Sequence, residues 1–149
     1  MDQPTLAGFI AWARTAIGVP TGALADISPF WGYAYNVSVA IVSLQLSMVD
    51  ATGLIYMLAV YNLAGDNLIN WAPDTAPSTY FTDLRKSFDC NAFTPGVVSE
   101  AHDETTGQSM EVITALKDLT LGQLQNLKTP YGRQYLSFAQ SLGGIWGLS

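Results

Sequence analysis

Side chains able to do chemistry are few in this chain, and their spacing fits no familiar reaction. There is one histidine, His102, and one cysteine, Cys90. A nucleophilic couple needs a base within hydrogen-bond reach. Cys90 has no histidine beside it in sequence, although pairing in space stays open, and no G-x-S-x-G elbow is present. Cys90 therefore reads as a small, partly buried hydrophobe. His102-Asp103-Glu104 sets an imidazole beside two carboxylates, the raw material of a metal site. One histidine with two adjacent carboxylates falls short of a zinc set and lacks the spacing of a calcium loop. A solvated acidic turn accounts for it better. Gly107 stands alone and Gly143-Gly144 is followed by no lysine, so no phosphate cradle is formed. No pair of carboxylates is singled out for glycoside chemistry. These residues lead us to expect a protein that is not an enzyme, with no catalytic, metal or cofactor-binding residues and no cofactor.

Composition points to surfaces rather than to a pocket. The 149 residues favour one domain, 1–149. Only 12% of residues are charged and 49% are hydrophobic, whereas a soluble domain is usually about a quarter charged. So little charge implies either a membrane protein or a subunit that buries much of its surface against partners. The net charge is −6, and Arg14, Arg85, Lys86, Lys117, Lys128 and Arg133 are scattered. Nucleic-acid affinity needs clustered cations, so a DNA-gripping surface is not expected. A single cysteine excludes an intrachain disulfide and fits a reducing compartment. The start, Met1-Asp2-Gln3-Pro4, lacks a basic signal-peptide region. The membrane alternative rests on residues 27–65, which hold no basic residue and one acid, Asp50. Residues 29–49 have the length of a span. They also contain Asn36, Ser38, Ser43, Gln45 and Ser47 and lack positive flanks, which favours a buried helix with no membrane contact.

The elements that would position these residues are mostly helical. Leu6, Phe9, Ile10, Ala13 and Ile17 recur at helical spacing over 4–17, with Pro4 in the first turn and Gly18 and Pro20 as the stop. Residues 18–27 are turn-rich. Ser28-Pro29 starts a segment of about twenty residues whose length favours helix. Val37, Ile41, Leu44 and Met48 form a helical stripe there, yet 35–49 also alternates as a strand would. After a break at Asp50–Gly53, a second long helix, about 52–71, is apolar nearly all round until Asp66 and reads as central. Trp12, Trp31 and Trp71 are expected in the core. A polar loop, 73–78, precedes a short helix, 79–88, with Tyr80, Phe81, Leu84 and Phe88 on one face and Asp83, Arg85 and Lys86 pointing away. Residues 96–99 and 109–113 resemble short strands, predicting a β-hairpin over 96–113 with the polar tip 100–107. Leu121, Leu124 and Leu127 mark a short helix. Thr129-Pro130 starts the last one, to about 142, before Gly143-Gly144 and an apolar tail at 143–149. The fold expected is mainly α. It is a bundle of four to five helices, its body at 4–88 and 120–142, with an inserted β-hairpin and an extended C-terminal tail. Trp146, flanked by glycines, fits an anchor in a partner's pocket as well as a side chain folded onto its own domain.

One stretch carries a family likeness. Thr129-Pro130-Tyr131-Gly132-Arg133-Gln134-Tyr135-Leu136 resembles the "TPYG-[QR]-x-[FY]-L" start of the last helix in small head–tail connector (adaptor, neck or head-completion) proteins of tailed bacteriophages. In that family it follows a hairpin of the type that Gly96-Val97-Val98-Ser99 and Gly107-Gln108-Ser109 resemble. The likeness in organisation spans roughly 30–149 and is motif-like over 96–109 and 129–136. Loop 73–79, helix 79–88 and the Gly-Ile-Trp-Gly-Leu tail depart from the compact family pattern, which leaves collar, completion and tail-terminator roles open.

The resemblance implies a structural virion protein forming a ring, usually a dodecamer, between portal and tail. It would assemble in the bacterial host cytoplasm and reside in the virion neck. The partners implied are further copies of itself, the portal protein and the next neck or tail protein. Genomic DNA would pass through without specific binding. Ile145, Trp146 and Leu148 would form the portal-docking interface. Thr129, Pro130, Tyr131, Gly132 and Arg133 would be the family motif. Glu100, Asp103 and Glu104 would be the channel-facing acidic hairpin, a negative collar that repels the passing duplex. Two readings compete with it. One is a non-catalytic binding or structural module outside phages; the other is a small membrane-associated helical protein using 29–65.

Overall fold

A computed structural model describes residues 3–92, 100–103, 106–109 and 121–141 of the chain. The protein is mainly α-helical. Seven helices are present among the described residues: α1 Leu6–Ala16, α2 Pro29–Ile41, α3 Leu46–Val49, α4 Leu54–Trp71, α5 Tyr80–Ser87, α6 Leu121–Asn126 and α7 Pro130–Gln140.

Helix α4 is the hub, as its apolar composition predicts. Its residues from Ala59 to Asp66 are all buried, and Leu68 and Ile69 join them. It packs most extensively against α2 and α7, and also against α1, α3 and α5. Its neighbours supply large side chains to the same core, chiefly Phe9, Trp31, Leu46 and Phe81. Phe9 sits among aromatic rings, edge-on to Trp31 at 5.8 Å and tilted against Tyr61 at 6.0 Å. Offset and edge arrangements of this kind add to the stabilisation from area burial alone.

Helix α1 starts two residues later than its sequence suggests. Thr5 is its cap, its hydroxyl accepting from the Gly8 N–H at 3.0 Å. Pro4 lies outside, its carbonyl accepting from the Tyr35 hydroxyl at 2.7 Å. The helix stops where expected, because Gly18 takes a φ of +80° that side-chain-bearing residues avoid. The turn-rich stretch after it is held by Arg14. That guanidinium donates to the carbonyls of Val19 at 2.9 Å and Leu24 at 2.6 Å, pairs with Asp26, and lies 5.0 Å above the Trp31 ring.

The long segment 29–49 is neither one helix nor a strand. It is helical to Ile41, turns extended at Val42, and re-forms one helical turn at α3. Val42 is buried, so the break brings its side chain into the core while the chain changes direction. No described helix is long and apolar enough to cross a membrane.

Helix α5 occupies Tyr80–Ser87 within the expected 79–88. Arg85 does not point away, however. It donates to the carbonyls of Ile69 at 3.0 Å and Ala72 at 2.8 Å, closing the end of α4. Helix termini leave four carbonyls without intrahelical partners, and a nearby cation suits them. Trp71 is also misassigned by its sequence neighbourhood: it is 43% exposed rather than core.

Beyond α5, Glu100–Asp103 (β1) and Thr106–Ser109 (β2) pair antiparallel, Glu100 opposite Ser109 and Asp103 opposite Thr106. This short ladder falls where the polar tip was expected. The expected strand 96–99 lies outside the described residues, as does 110–113. The described residues therefore do not show the 96–113 hairpin with its long loop. They show two four-residue strands, with Glu100, His102 and Asp103 in the ladder itself.

Candidate functional site

Two regions concentrate what is unusual about the molecule. One is an apolar outer surface along α2 and α3; the other is a buried polar joint where α7 meets α4.

The surface follows from the geometry of α2. Trp31, Ala34 and Ser38 face inward, and their spacing leaves Tyr33, Val37 and Ile41 stacked at i, i+4 and i+8 on the exposed side. Leu44, at 68% exposed, and Met48, at 86%, continue the run through the break and α3, with Val49 beside them. The stripe Val37–Ile41–Leu44–Met48 that the sequence suggests is real in its spacing. It faces outward, because the small residues Ala34 and Ser38 are the ones that let α2 approach α4. Ser38 is itself fully buried, donating to the Ala34 carbonyl at 2.8 Å and accepting from Asn67 on α4 at 3.1 Å. Between Ile27 and Gly65 only Asp50 carries charge, so this face has almost no electrostatic character.

The joint accounts for Thr129–Arg133 residue by residue. Thr129 is fully buried and caps α7, its hydroxyl oxygen accepting from the Gly132 N–H at 2.9 Å. The same hydroxyl donates to the Asp66 carboxylate of α4. Pro130 occupies the first helical position, where its missing N–H costs nothing. Tyr131 donates to the Ala16 carbonyl at 3.1 Å and meets the Trp12 ring edge-on at 5.8 Å. Gly132 is pressed against the Asn126 backbone, where a Cβ would collide with the Asn126 carbonyl. Arg133 donates to the carbonyls of Leu127 at 2.9 Å and Lys128 at 3.3 Å, holding the turn between α6 and α7. The five motif residues thus tie α7 to α1, α4 and α6.

Asp66 is the member of this joint that periodicity alone does not reveal. It is 1% exposed on an otherwise apolar helix. Burial pushes its carboxyl up to about 6, against an opposing pull from the Thr129 hydrogen bond. The signal available in the sequence was an acidic residue with no basic residue one turn away in either direction. Cys90 lies nearby and is buried. Burial, with the Asp66 charge adding to it, raises its thiol above the ordinary range, which disfavours a reactive thiolate. Lys128 donates to the carbonyls of Asp89 at 3.2 Å and Cys90 at 3.4 Å and to that of Ala92, pinning the turn after α5.

The remaining expected site residues are dispersed. Glu100 and Asp103 end the β1 strand, and His102 pairs with Gly107 across the ladder. Glu104 lies outside the described residues, as do Ile145, Trp146 and Leu148. Among the described residues, no three His, Cys, Asp or Glu side chains come together as a metal site would require. No family model, curated protein or solved structure matches this chain.

Proposed function

We propose that this chain is a non-catalytic assembly subunit, and specifically a ring-forming connector in the neck of a tailed bacteriophage, between portal and tail. The observation that carries the assembly reading is the uncharged apolar run Tyr33, Val37, Ile41, Leu44, Met48 and Val49 on the outside of α2 and α3. A contiguous exposed patch on the order of a few hundred Å² marks an interaction surface and would form the apolar heart of an interface burying about 800 Å² per partner. The occupant that fits it is a neighbouring copy of the same chain. The net charge of −6 makes copies repel one another elsewhere, whereas this face brings no like charges together. The phage assignment rests on the resemblance at 129–136.

In this reading the portal receives Ile145, Trp146 and Leu148, and Glu100, Asp103 and Glu104 of each copy form a negative collar. DNA passes the collar without adhering, because like charges repel across a narrow channel. The test is mass determination of the chain mixed with the portal ring encoded in the same genome. A closed ring of about a dozen copies supports the proposal. No association with the portal overturns it and leaves a binding module outside phages.

A further inference from the structure

The Asp66–Thr129 joint has a property that an assembly surface does not require. Asp66 sits in the interior of α4 and is removed from water. A carboxyl in that setting prefers its neutral form, because ionisation there is not solvated. Its contact across the helix interface is the Thr129 hydroxyl, and Thr129 is the capping residue of α7. One hydroxyl therefore caps the last helix and fastens it to the central one. Four cations on the surrounding elements are otherwise engaged. Arg85 of α5 holds the Ile69 and Ala72 carbonyls, and Lys128 holds those of Asp89, Cys90 and Ala92. Arg133 of α7 holds the Leu127 and Lys128 carbonyls between α6 and α7, and Arg14 of α1 pairs with Asp26. Helix α2 brings only the phenols Tyr33 and Tyr35, and α3 brings no ionisable side chain. Helix α5 also carries Tyr80, Asp83 and Lys86, α4 itself Tyr56 and Tyr61, and α7 Tyr131 and Tyr135; Asp89 and the Cys90 thiol follow α5. Among the described residues the one salt bridge is Arg14–Asp26, so no cation there pairs with Asp66.

We propose that the Asp66 carboxyl and the Thr129 hydroxyl form a protonation-sensitive latch that sets how readily α7 lifts from α4. Neutral Asp66 keeps α7 seated, and the ionised carboxylate favours release because lifting α7 returns it to water. The direction follows from the raised pKa of the seated form, about 6 against 3.8 for a solvated carboxyl. Below the lower value both forms are neutral and seating is strongest. It weakens as pH rises through the higher value and is constant above it. Between pH 5 and pH 7 the ratio of lifted to seated α7 rises roughly tenfold.

Hydrogen exchange of the free chain at pH 5 and pH 7, corrected for intrinsic exchange, tests this. The expected result is that amides within Tyr131–Gln140 exchange ahead of those in α2 and α4, and that their opening rises roughly tenfold with pH. Asp66→Asn, neutral at all pH, removes that rise. Should Asp66→Asn fail to fold, Thr129→Val serves: it removes the bond that lowers the Asp66 pKa, so the rise moves to higher pH. The latch is overturned if α7 exchanges only in step with α2 and α4. It is equally overturned if Asp66→Asn keeps the pH step or Thr129→Val leaves it where it is.

Discussion

The α4–α7 joint and the outer face of α2–α3 invert the usual placement of side chains. The joint hides a carboxylate and a hydroxyl at essentially zero exposure, while the face leaves Leu44 and Met48 mostly in solvent. Polar groups inside are costly unless satisfied, and the buried side chains of the joint have partners: Asp66 with the Thr129 hydroxyl, and that hydroxyl with the Gly132 N–H. Apolar groups outside need no partner to let the chain fold. They lower the free energy of whatever covers them. The joint therefore serves the fold of one copy, and in the proposed assembly the face serves contact with another. Substitutions in the two regions should separate cleanly into losses of stability and losses of assembly.

The largest loss of stability is expected from Gly132→Ala. The added methyl meets the Asn126 backbone carbonyl, which has no flexible end to swing aside. Overpacking of this kind costs about 3 kcal/mol, read as a lowered midpoint in denaturant unfolding. Thr129→Val comes next. It keeps the shape, loses the cap on α7 and leaves the buried Asp66 without its hydroxyl donor. A lost cap and an unsatisfied buried acceptor together cost about 2 kcal/mol, and Thr129→Ser should recover most of it. Arg85→Met follows at about 1.5 kcal/mol, from two charge-assisted bonds to the Ile69 and Ala72 carbonyls. If Gly132→Ala left stability unchanged, the joint would not be the rigid element contrasted here with the face.

Much of the fold was legible in sequence because periodicity and caps act locally. Thr129-Pro130 marked the start of α7 to the residue, and Gly18 marked the end of α1. The central helix was legible from its apolar run. What sequence could not assign was direction. The α2 stripe Val37–Ile41 has the period of a buried face, and only its neighbours Ala34 and Ser38 decide that it faces out. Small residues bury well where helices approach closely, and hydropathy ranks them below Val and Ile. Arg85 was misplaced for a related reason: its partners are backbone carbonyls at the end of another helix, which no side-chain pattern announces. Trp71 reads as core by type, yet it ends α4 where the chain leaves the packed region. The joint was half legible. The octapeptide stood out as a motif, whereas its partner Asp66 lies 63 residues away in the chain.

The smallest effect on stability is expected where the effect on assembly is greatest. Ile41→Asp combined with Met48→Asp places two charges on the α2–α3 face without touching the core, since both side chains are exposed. Surface substitutions of this kind shift unfolding by about 0.5 kcal/mol or less. Between copies the same charges meet like charges in an apolar interface and must be desolvated, which costs several kcal/mol per contact. The double variant should therefore unfold like the parent and fail to add copies to a ring on the portal, measured by denaturation and by mass of the mixed complex. A loss of more than about 1 kcal/mol in the isolated chain would mean that the face is covered by this chain's own residues. In that case the surface belongs to the fold, and the contrast with the joint disappears. Unchanged stability with unchanged assembly would move the contact between copies to another face and remove the observation on which the assembly reading rests.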